Sequence, residues 1–373
     1  MKKNIVWGTC WYNETKESII KFFDSSLSYL KNCNCNVFPV IFYAKCDNDE
    51  SDIAFIKSKL KNVIIIKNKT DIFPNKNYGI ALITKVSMEL NADYTAIVDC
   101  DWDIKQSKKF IDNTLFYAID NDYDLVIPNI GEANGRSNLL IGRPTINLLY
   151  PEYKDIIYSA FPGSLVSKTS KLNLIISDYN YHFDWGGEWD IISIAIKNNF
   201  KIGSKLVNVK STRHRSNDSK MYDSFQIWRA ILCDDELKNR LKKIKKYKND
   251  IIPYDNFSKL IINNDCSIKE LIDEISNGST NNTQKQLLYM VLYPIAFLVG
   301  DIKYIPKIDS FEEPYDNTEI MNVSNLALYC IRQILNKCDI QLMQNRCKNL
   351  NNKYLSKWNY NNQKNAMKNY KVI

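Results

Sequence analysis

The sequence predicts an α/β fold, a mainly parallel sheet flanked by helices, followed by a helical C-terminal region. Three observations carry this expectation. Strand-like and helix-like segments alternate from Asn4 to Pro128. One of those strands, beginning at Tyr94, is an apolar, β-branched run that stops abruptly in alternating carboxylates, Asp99, Asp101 and Asp103. After about residue 225 the alternation is lost, and apolar residues recur at helical spacing among lysines.

Asn4 to Cys10 reads as a first strand with Ile5, Val6 and Trp7 as its apolar body, and Ser18 to Leu30 shows helical spacing. Val37 to Ala44 and Val63 to Ile66 read as strands on either side of a helix over Ile53 to Leu60. A further helix, Ile80 to Leu90, leads into the strand that ends at Asp99, and Ile111 to Ile119 with Leu125 to Pro128 continue the alternation. Such alternation favours right-handed βαβ units and a parallel sheet. From Asn129 the pattern loosens through the Gly/Asn/Arg-bearing stretch Gly131 to Arg143. Trp185 to Ile196 reads as a helix entered through Gly186-Gly187, and Lys201 to Val209 as a strand. Leu237, Leu241, Ile244 and Tyr247, and later Leu326 to Asn336, are helix-like. The lysine-rich segment from Lys238 to Lys248 reads as a solvated helix face. The apolar stretch Leu287 to Gly300, interrupted by Pro294, is shorter than a membrane span and reads as a buried helix.

At 373 residues the chain is long enough for two domains, here 1–230 and 231–373. Apolar and charged fractions of 45% and 25% are ordinary for a soluble globular protein. A net charge of +8 suits an anionic substrate and does not demand nucleic acid. Ten cysteines without a paired C-x-x-C framework, beside only two histidines, argue against a zinc cluster and for reduced thiols in a cytoplasm. Only a short apolar run follows Met1-Lys-Lys-Asn, so a secretory signal is not expected. Peripheral membrane contact and a homodimer joined through the helical tail stay open.

In an extended segment side chains alternate faces, so Asp99 and Asp101 emerge on the same side at the carboxyl edge of the sheet, where open α/β folds bind ligands. Paired carboxylates are hard oxygen ligands for Mg²⁺ or Mn²⁺, with phosphate oxygens and waters completing the shell. Polar groups, Thr9, Asn13 and Glu14 among them, gather about the end of the first strand as donor-side candidates. Asn13 and Glu14 serve equally well as a helix cap and a dipole partner. Pro74-Asn-Lys-Asn-Tyr-Gly79 places Lys76 and backbone amides before a helix, where a diphosphate can sit. Asp184-Trp-Gly-Gly-Glu-Trp-Asp190 joins three carboxylates, two indoles and a flexible glycine pair, a combination suited to a sugar. Core packing accounts for the indoles but not for the acids beside them. His214, between Arg213 and Arg215 after the last expected strand, offers a metal ligand next to phosphate-binding guanidinium groups.

Together these residues resemble the GT-A-fold nucleotide-sugar glycosyltransferases, and within them the retaining mannosylglycerate and glucosyl-3-phosphoglycerate synthases. The resemblance runs from about residue 4 to about residue 230 and rests on motifs in order. They are the Asp99-Cys-Asp101 triplet, Gly135-Arg136 through Arg143-Pro144 to Pro151, Phe161-Pro-Gly163, Asp184-Trp-Gly with Glu188, and His214. Lys76 is similar to the lysine of the family's Gly-rich donor loop, although here only Gly79 stands where several glycines are usual, and Ser164 stands where Glu is common.

The resemblance implies a GT-A sheet and a metal-dependent enzyme that moves a hexose from a nucleoside-diphosphate sugar to a hydroxyl of a small-molecule or glycan acceptor, with retention. Asp101 and His214 would ligate the metal, with Asp99 on the donor ribose or on the metal through water. Lys76 would face the diphosphate, and Asp184 and Glu188 the reacting sugar. Arg136, Arg143 and Gly163 would form the acceptor side. Two rival readings remain at this point. One is a nucleotidyltransferase, which also sets paired carboxylates and a metal on an α/β sheet. The other is a sugar-binding scaffold without turnover.

Overall fold

The computed structural model describes residues 2–12, 14–44, 50–67, 76–101, 107–131, 137–161, 163–207, 209, 217–244, 282–300, 339–353 and 370–372, with a few helical positions between 269 and 335 and residues 302–303. Two compact units are present. One comprises residues 1–133, 162–214 and 354–373, the other residues 134–161 and 215–353.

The first unit is built on one eight-stranded sheet. Its strands are β1 (Lys3–Trp11), β2 (Cys35–Tyr43), β3 (Ile64–Lys67), β4 (Tyr94–Ile97), β5 (Leu125–Val126), β6 (Leu165–Lys168), β7 (Ile202–Gly203) and β8 (Lys371–Val372), in the spatial order β7-β5-β6-β4-β1-β2-β3-β8. The contiguous set β3-β2-β1-β4 is parallel, as is β5 with β7. β6 runs antiparallel between β4 and β5, and β8 closes the far edge antiparallel to β3. The α/β class expected from the alternation is therefore present.

β1 is buried on both faces, the condition a parallel sheet imposes on its central strands. On one face Ile5, Trp7 and Trp11 join the cluster of Phe22 and Phe23 from α1 (Lys16–Leu30), Ile53 and Ile56 from α2 (Glu50–Lys59) and Phe110 from α4 (Ser107–Ile111). The Trp7 ring lies 6.5 Å from Phe22 and 6.4 Å, edge-on, from Phe110. The opposite face carries Gly8 and Cys10 toward α3 (Lys76–Glu89). α1 begins at Thr15, whose hydroxyl accepts the Ser18 amide, so Thr15 is the cap. α4 continues through a π-helical turn, Asp112–Phe116, into α5 (Tyr117–Asp120), and β6 leads directly into α7 (Thr169–Ile176).

Three local expectations differ from what forms. α3 starts at Lys76 rather than at Ile80, so the lysine expected in a loop is helical. The strand expected from Lys201 to Val209 is only Ile202–Gly203 plus an isolated bridge of Leu206 to Asn129. It is an edge strand, and Lys205 and Leu206 turn to solvent, which leaves the run little to pair with or bury against. β6 had no clear sequence signal, because four residues with an internal Ser are too short to show a period.

In the second unit, α6 (Arg143–Leu149) follows a π-helical turn at Asn138–Gly142. α9 (Asn217–Cys233) and α10 (Leu237–Ile244) follow, and among the described residues the helices Asn282–Val299 and Ile340–Lys353 come after them. The helix Asn282–Val299 carries Pro294 inside it and buries Leu287, Leu288, Val291, Leu292, Ile295 and Ala296, the all-round burial of an interior helix. Phe297 from it meets Phe225 of α9 at 5.9 Å. In α10, Leu237 and Leu241 are buried while Lys238 and Lys242 are exposed, which supports a solvated lysine face over that part of the segment; its side chains from 243 on lie outside the described residues. Among the described residues no helix is long and apolar enough to cross a membrane.

α3 presses closest to the sheet at Gly79, where a Cβ would overlap the Phe42 ring and stand 2.6 Å from Cys10 Sγ. Gly79→Ala should therefore destabilise the chain by roughly 1–3 kcal/mol in urea unfolding, in spite of alanine's better helix propensity. Unchanged or greater stability would show that the interface has slack.

Candidate active site

The site forms where three chain segments of the first unit end together. β4 gives way after Ile97 to Val98, whose amide donates to Gly8 O, and then to Asp99, whose amide donates to Ser164 Oγ at 3.1 Å. Thr9 is fully buried and donates its hydroxyl to Val98 O at 2.7 Å, which ties β1 to the end of β4. Asp99 is thereby held at the carboxyl edge of the central strands, with 28% of its side chain open.

Lys76, at the first turn of α3, points into this edge and is 6% exposed. Its Nζ lies 2.7 Å from Asp99 Oδ1 and 3.6 Å from Glu188 Oε1, and donates to Gly163 O. Gly163 adopts φ +76°, a left-handed conformation that favours glycine, and a Cβ there would overlap Asp99 Oδ2 and come within 3.0 Å of Lys76 Nζ. Glu188 sits in the first turn of α8 (Gly187–Lys197), where the helix N-terminus favours a negative charge. Lys76, Asp99, Gly163 and Glu188, singled out from four separate stretches of sequence, thus share one centre.

Burial works to lower the Lys76 pKa, but the Asp99 and Glu188 carboxylates outweigh it and hold the ammonium above its ordinary value. For Asp99, burial pushes the carboxyl upward, the Lys76 ammonium opposes that push, and neighbouring Asp101 adds to it. The centre is a charge cluster of one ammonium and two flanking carboxylates, with Asp101 half-buried beside it in sequence.

Asp184 plays a different local part. Its Oδ1 accepts the Gly186 amide at 2.8 Å, and its backbone carbonyl accepts Asn77 Nδ2 at 2.7 Å. Gly187 allows this approach, since a Cβ there would overlap His182 O and lie 2.8 Å from Asn77 Cβ. Glu14 Oε2 accepts the Tyr12 amide, and its carbonyl accepts Trp11 Nε1. In the second unit, Arg143 stacks over the Tyr158 ring at 4.1 Å and donates to Tyr158 Oη at 2.8 Å. Asn13, Arg136 and His214 lie outside the described residues.

Sequence reasoning had no role for Asn77, His182 or Ser164 in this arrangement. Asn77 sits in the expected donor stretch, but no pattern reveals that its amide would brace a turn 107 residues away. Among the described residues no group of three metal-ligating side chains converges. The carboxylates of Asp99 and Asp101 are nevertheless hard oxygen donors of the kind Mg²⁺ or Mn²⁺ takes with phosphate and water, so the donor set fits such a cation.

Gly163→Ala should cost about 1–2 kcal/mol for the left-handed backbone alone, and more for the displaced Asp99 carboxylate. Urea unfolding would measure it, and a loss below about 0.5 kcal/mol would show that Gly163 is not held in that conformation.

No protein-family model and no curated protein matches the sequence. Among solved structures, the chain is similar to glucosyl-3-phosphoglycerate synthase from Mycobacterium tuberculosis, in a complex with Mn²⁺, UDP-glucose and phosphoglyceric acid. The TM-score is 0.50 at 16% identity, over 62% of this chain and 79% of that one. A second structure, described as a mycobacterial protein, gives a TM-score of 0.50 and 16% identity over 62% and 74%. With the mainly parallel sheet, the antiparallel β6 and the carboxylates at the end of β4, this likeness identifies the fold as that of the GT-A glycosyltransferases.

Proposed function

We propose that the protein is a metal-dependent glycosyltransferase that moves a hexose from a nucleoside-diphosphate sugar to an acceptor hydroxyl with retention of configuration. The observation that carries this reading is the buried Lys76 ammonium at the carboxyl edge of the sheet, between Asp99 and Glu188. An ammonium kept charged at that edge is a ready partner for a diphosphate, which would compete with the carboxylates for it. The similar structure holds Mn²⁺, UDP-glucose and phosphoglyceric acid, and that favours a UDP-sugar donor and a small anionic acceptor here.

In this reading Asp101 and His214 hold a Mg²⁺ or Mn²⁺ ion, with Asp99 on the donor ribose or on the ion through water. The cation supplies neutralisation of the charge that gathers on a departing diphosphate. Lys76 adds its own positive charge to the same group. Glu188 orients the donor sugar and the incoming hydroxyl, with the buried Asp184 holding the turn before it through the Gly186 amide.

The test is a thermal-shift panel of nucleoside diphosphates and UDP-sugars with and without Mn²⁺, followed by assay of UDP-glucose hydrolysis. A ligand selective for the native state at about 100 times its Kd stabilises it by roughly 2.7 kcal/mol. Stabilisation by UDP that needs Mn²⁺, together with slow hydrolysis, supports the proposal. Binding without turnover favours a sugar-binding scaffold, and a response to nucleoside triphosphates alone favours a nucleotidyltransferase.

Substitutions divide the roles. Asp101→Asn and His214→Ala should each abolish metal-dependent transfer, and full activity of either variant in a chelator would sink the metal assignment. Lys76→Ala should weaken donor binding and hydrolysis together. Because burial raises the Asp99 carboxyl, protons compete with the cation at a higher pH than an ordinary carboxylate of about 4 would allow. Mn²⁺-dependent stabilisation should therefore fade on acidification well above pH 4, and Asp99→Asn should remove that limb of the profile.

A further inference from the structure

The catalytic reading leaves a buried ionisable pair without a task. Asp190, in the first turn of α8, is 4% exposed. Its Oδ2 accepts the His182 backbone amide at 2.6 Å and lies 2.8 Å from His182 Nδ1. A carboxylate can only accept hydrogen bonds, so Nδ1 must carry its proton toward Asp190, which fixes both the tautomer and the ring plane. One oxygen thus ties His182 to Asp190 and closes the loop 182–190, which contains Asp184 and Glu188.

The closed loop reaches the charge cluster from both sides. Tyr181 Oη donates to Asn77 O at 3.2 Å, and Asn77 Nδ2 donates to Asp184 O at 2.7 Å. Tyr181 and Asp184, on either side of His182 in the chain, therefore grip Asn77, the residue next to Lys76. The His182 carbonyl packs against Gly187, immediately before Glu188, whose carboxylate returns to Lys76 at 3.6 Å. An aspartate alone would serve to cap the turn, so the imidazole beside it adds a second bond that a cap does not need. A buried acid with an imidazole partner costs more to desolvate and returns a fixed geometry.

We propose that His182 and Asp190 are positioning residues, a dyad that holds the 182–190 loop so that Glu188 faces Lys76 in the geometry turnover requires. This rests on the glycosyltransferase reading and adds to it two residues that touch neither donor nor acceptor. Loss of the dyad leaves donor capture at Lys76 and Asp99 in place but lets Glu188 drift, so the defect falls on kcat rather than on KM.

The experiment compares His182→Ala with His182→Asn in the full chain, because an Asn side-chain amide can place a donor near the position of Nδ1. With Mn²⁺ and UDP-glucose as the probe, His182→Ala should lower kcat for hydrolysis about tenfold or more with KM changed less than about threefold. His182→Asn should recover most of that loss. A second readout needs no donor. The coupling between Lys76→Met and Glu188→Gln in urea unfolding should be present with His182, vanish in His182→Ala and return in His182→Asn.

Unchanged kcat and unchanged coupling in His182→Ala would overturn the proposal and leave the pair as a fold lock. A His182→Asn variant as inactive as His182→Ala, but with the coupling intact, would also overturn it, since the imidazole itself would then be required. If the wild-type chain neither binds nor hydrolyses UDP-glucose or any other nucleotide sugar with Mn²⁺, the glycosyltransferase reading fails, and the coupling cycle still decides whether the dyad positions Glu188. If His182→Ala does not fold, the coupling in His182→Asn and in Asp190→Ala decides, and a wild-type value in Asp190→Ala overturns the proposal.

Discussion

The site depends on keeping one ammonium charged inside the protein. Lys76 is 6% exposed, and an unpaired cation at that depth would lose its proton or unfold the segment that carries it. Asp99 at 2.7 Å and Glu188 at 3.6 Å prevent both. Removing one partner of such a buried pair commonly costs about 3–5 kcal/mol, because the remaining charge is left uncompensated. The three residues come from the start of α3, the end of β4 and the start of α8, so the cluster also fixes how those elements meet.

That arrangement requires close backbone approach at several points, and glycine supplies two of them. Gly163 brings a carbonyl onto Lys76 in a left-handed conformation, and Gly187 lets α8 begin against His182 and Asn77. Around them the hydrogen bonds of Ser164, Asn77 and Asp190 fasten each loop to the next. The polar network is anchored on a sheet whose central strand is apolar on both faces, with Trp7 and Trp11 on one side and α3 on the other. Charge at the carboxyl edge and rigidity beneath it are coupled through β1 and β4, since Thr9 bonds directly across to Val98.

The same coupling bears on function. In the proposed reading, a diphosphate arriving at Lys76 would exchange with carboxylates already bound there, so donor binding would shift the balance of the whole cluster rather than fill an indifferent pocket. Asp99 faces the strongest competition, between the lysine, the proton and any cation. Glu188 is held from the other direction by its helix N-terminus and the loop behind it.

By itself the sequence determined the α/β class, the apolar strand that leads into Asp99 and the interior helix around Pro294, and it singled out Lys76, Gly163 and Glu188, which the structure brings to one centre. Most are written in a local period or an unusual local composition: an apolar, β-branched run that stops in carboxylates, an apolar run too short for a membrane, acids beside indoles; Gly163 came from the resemblance alone. The tertiary structure decided what no local pattern contains. It made Lys76 helical and buried, set β6 antiparallel between β4 and β5, and carried the last strand, β8, back to the sheet edge at β3. It also brought His182 to Asp190 and Asn77 to Asp184. These are pairings between segments as much as 300 residues apart, fixed by which hydrogen-bonding edges and buried charges are left to satisfy once the central strands have formed.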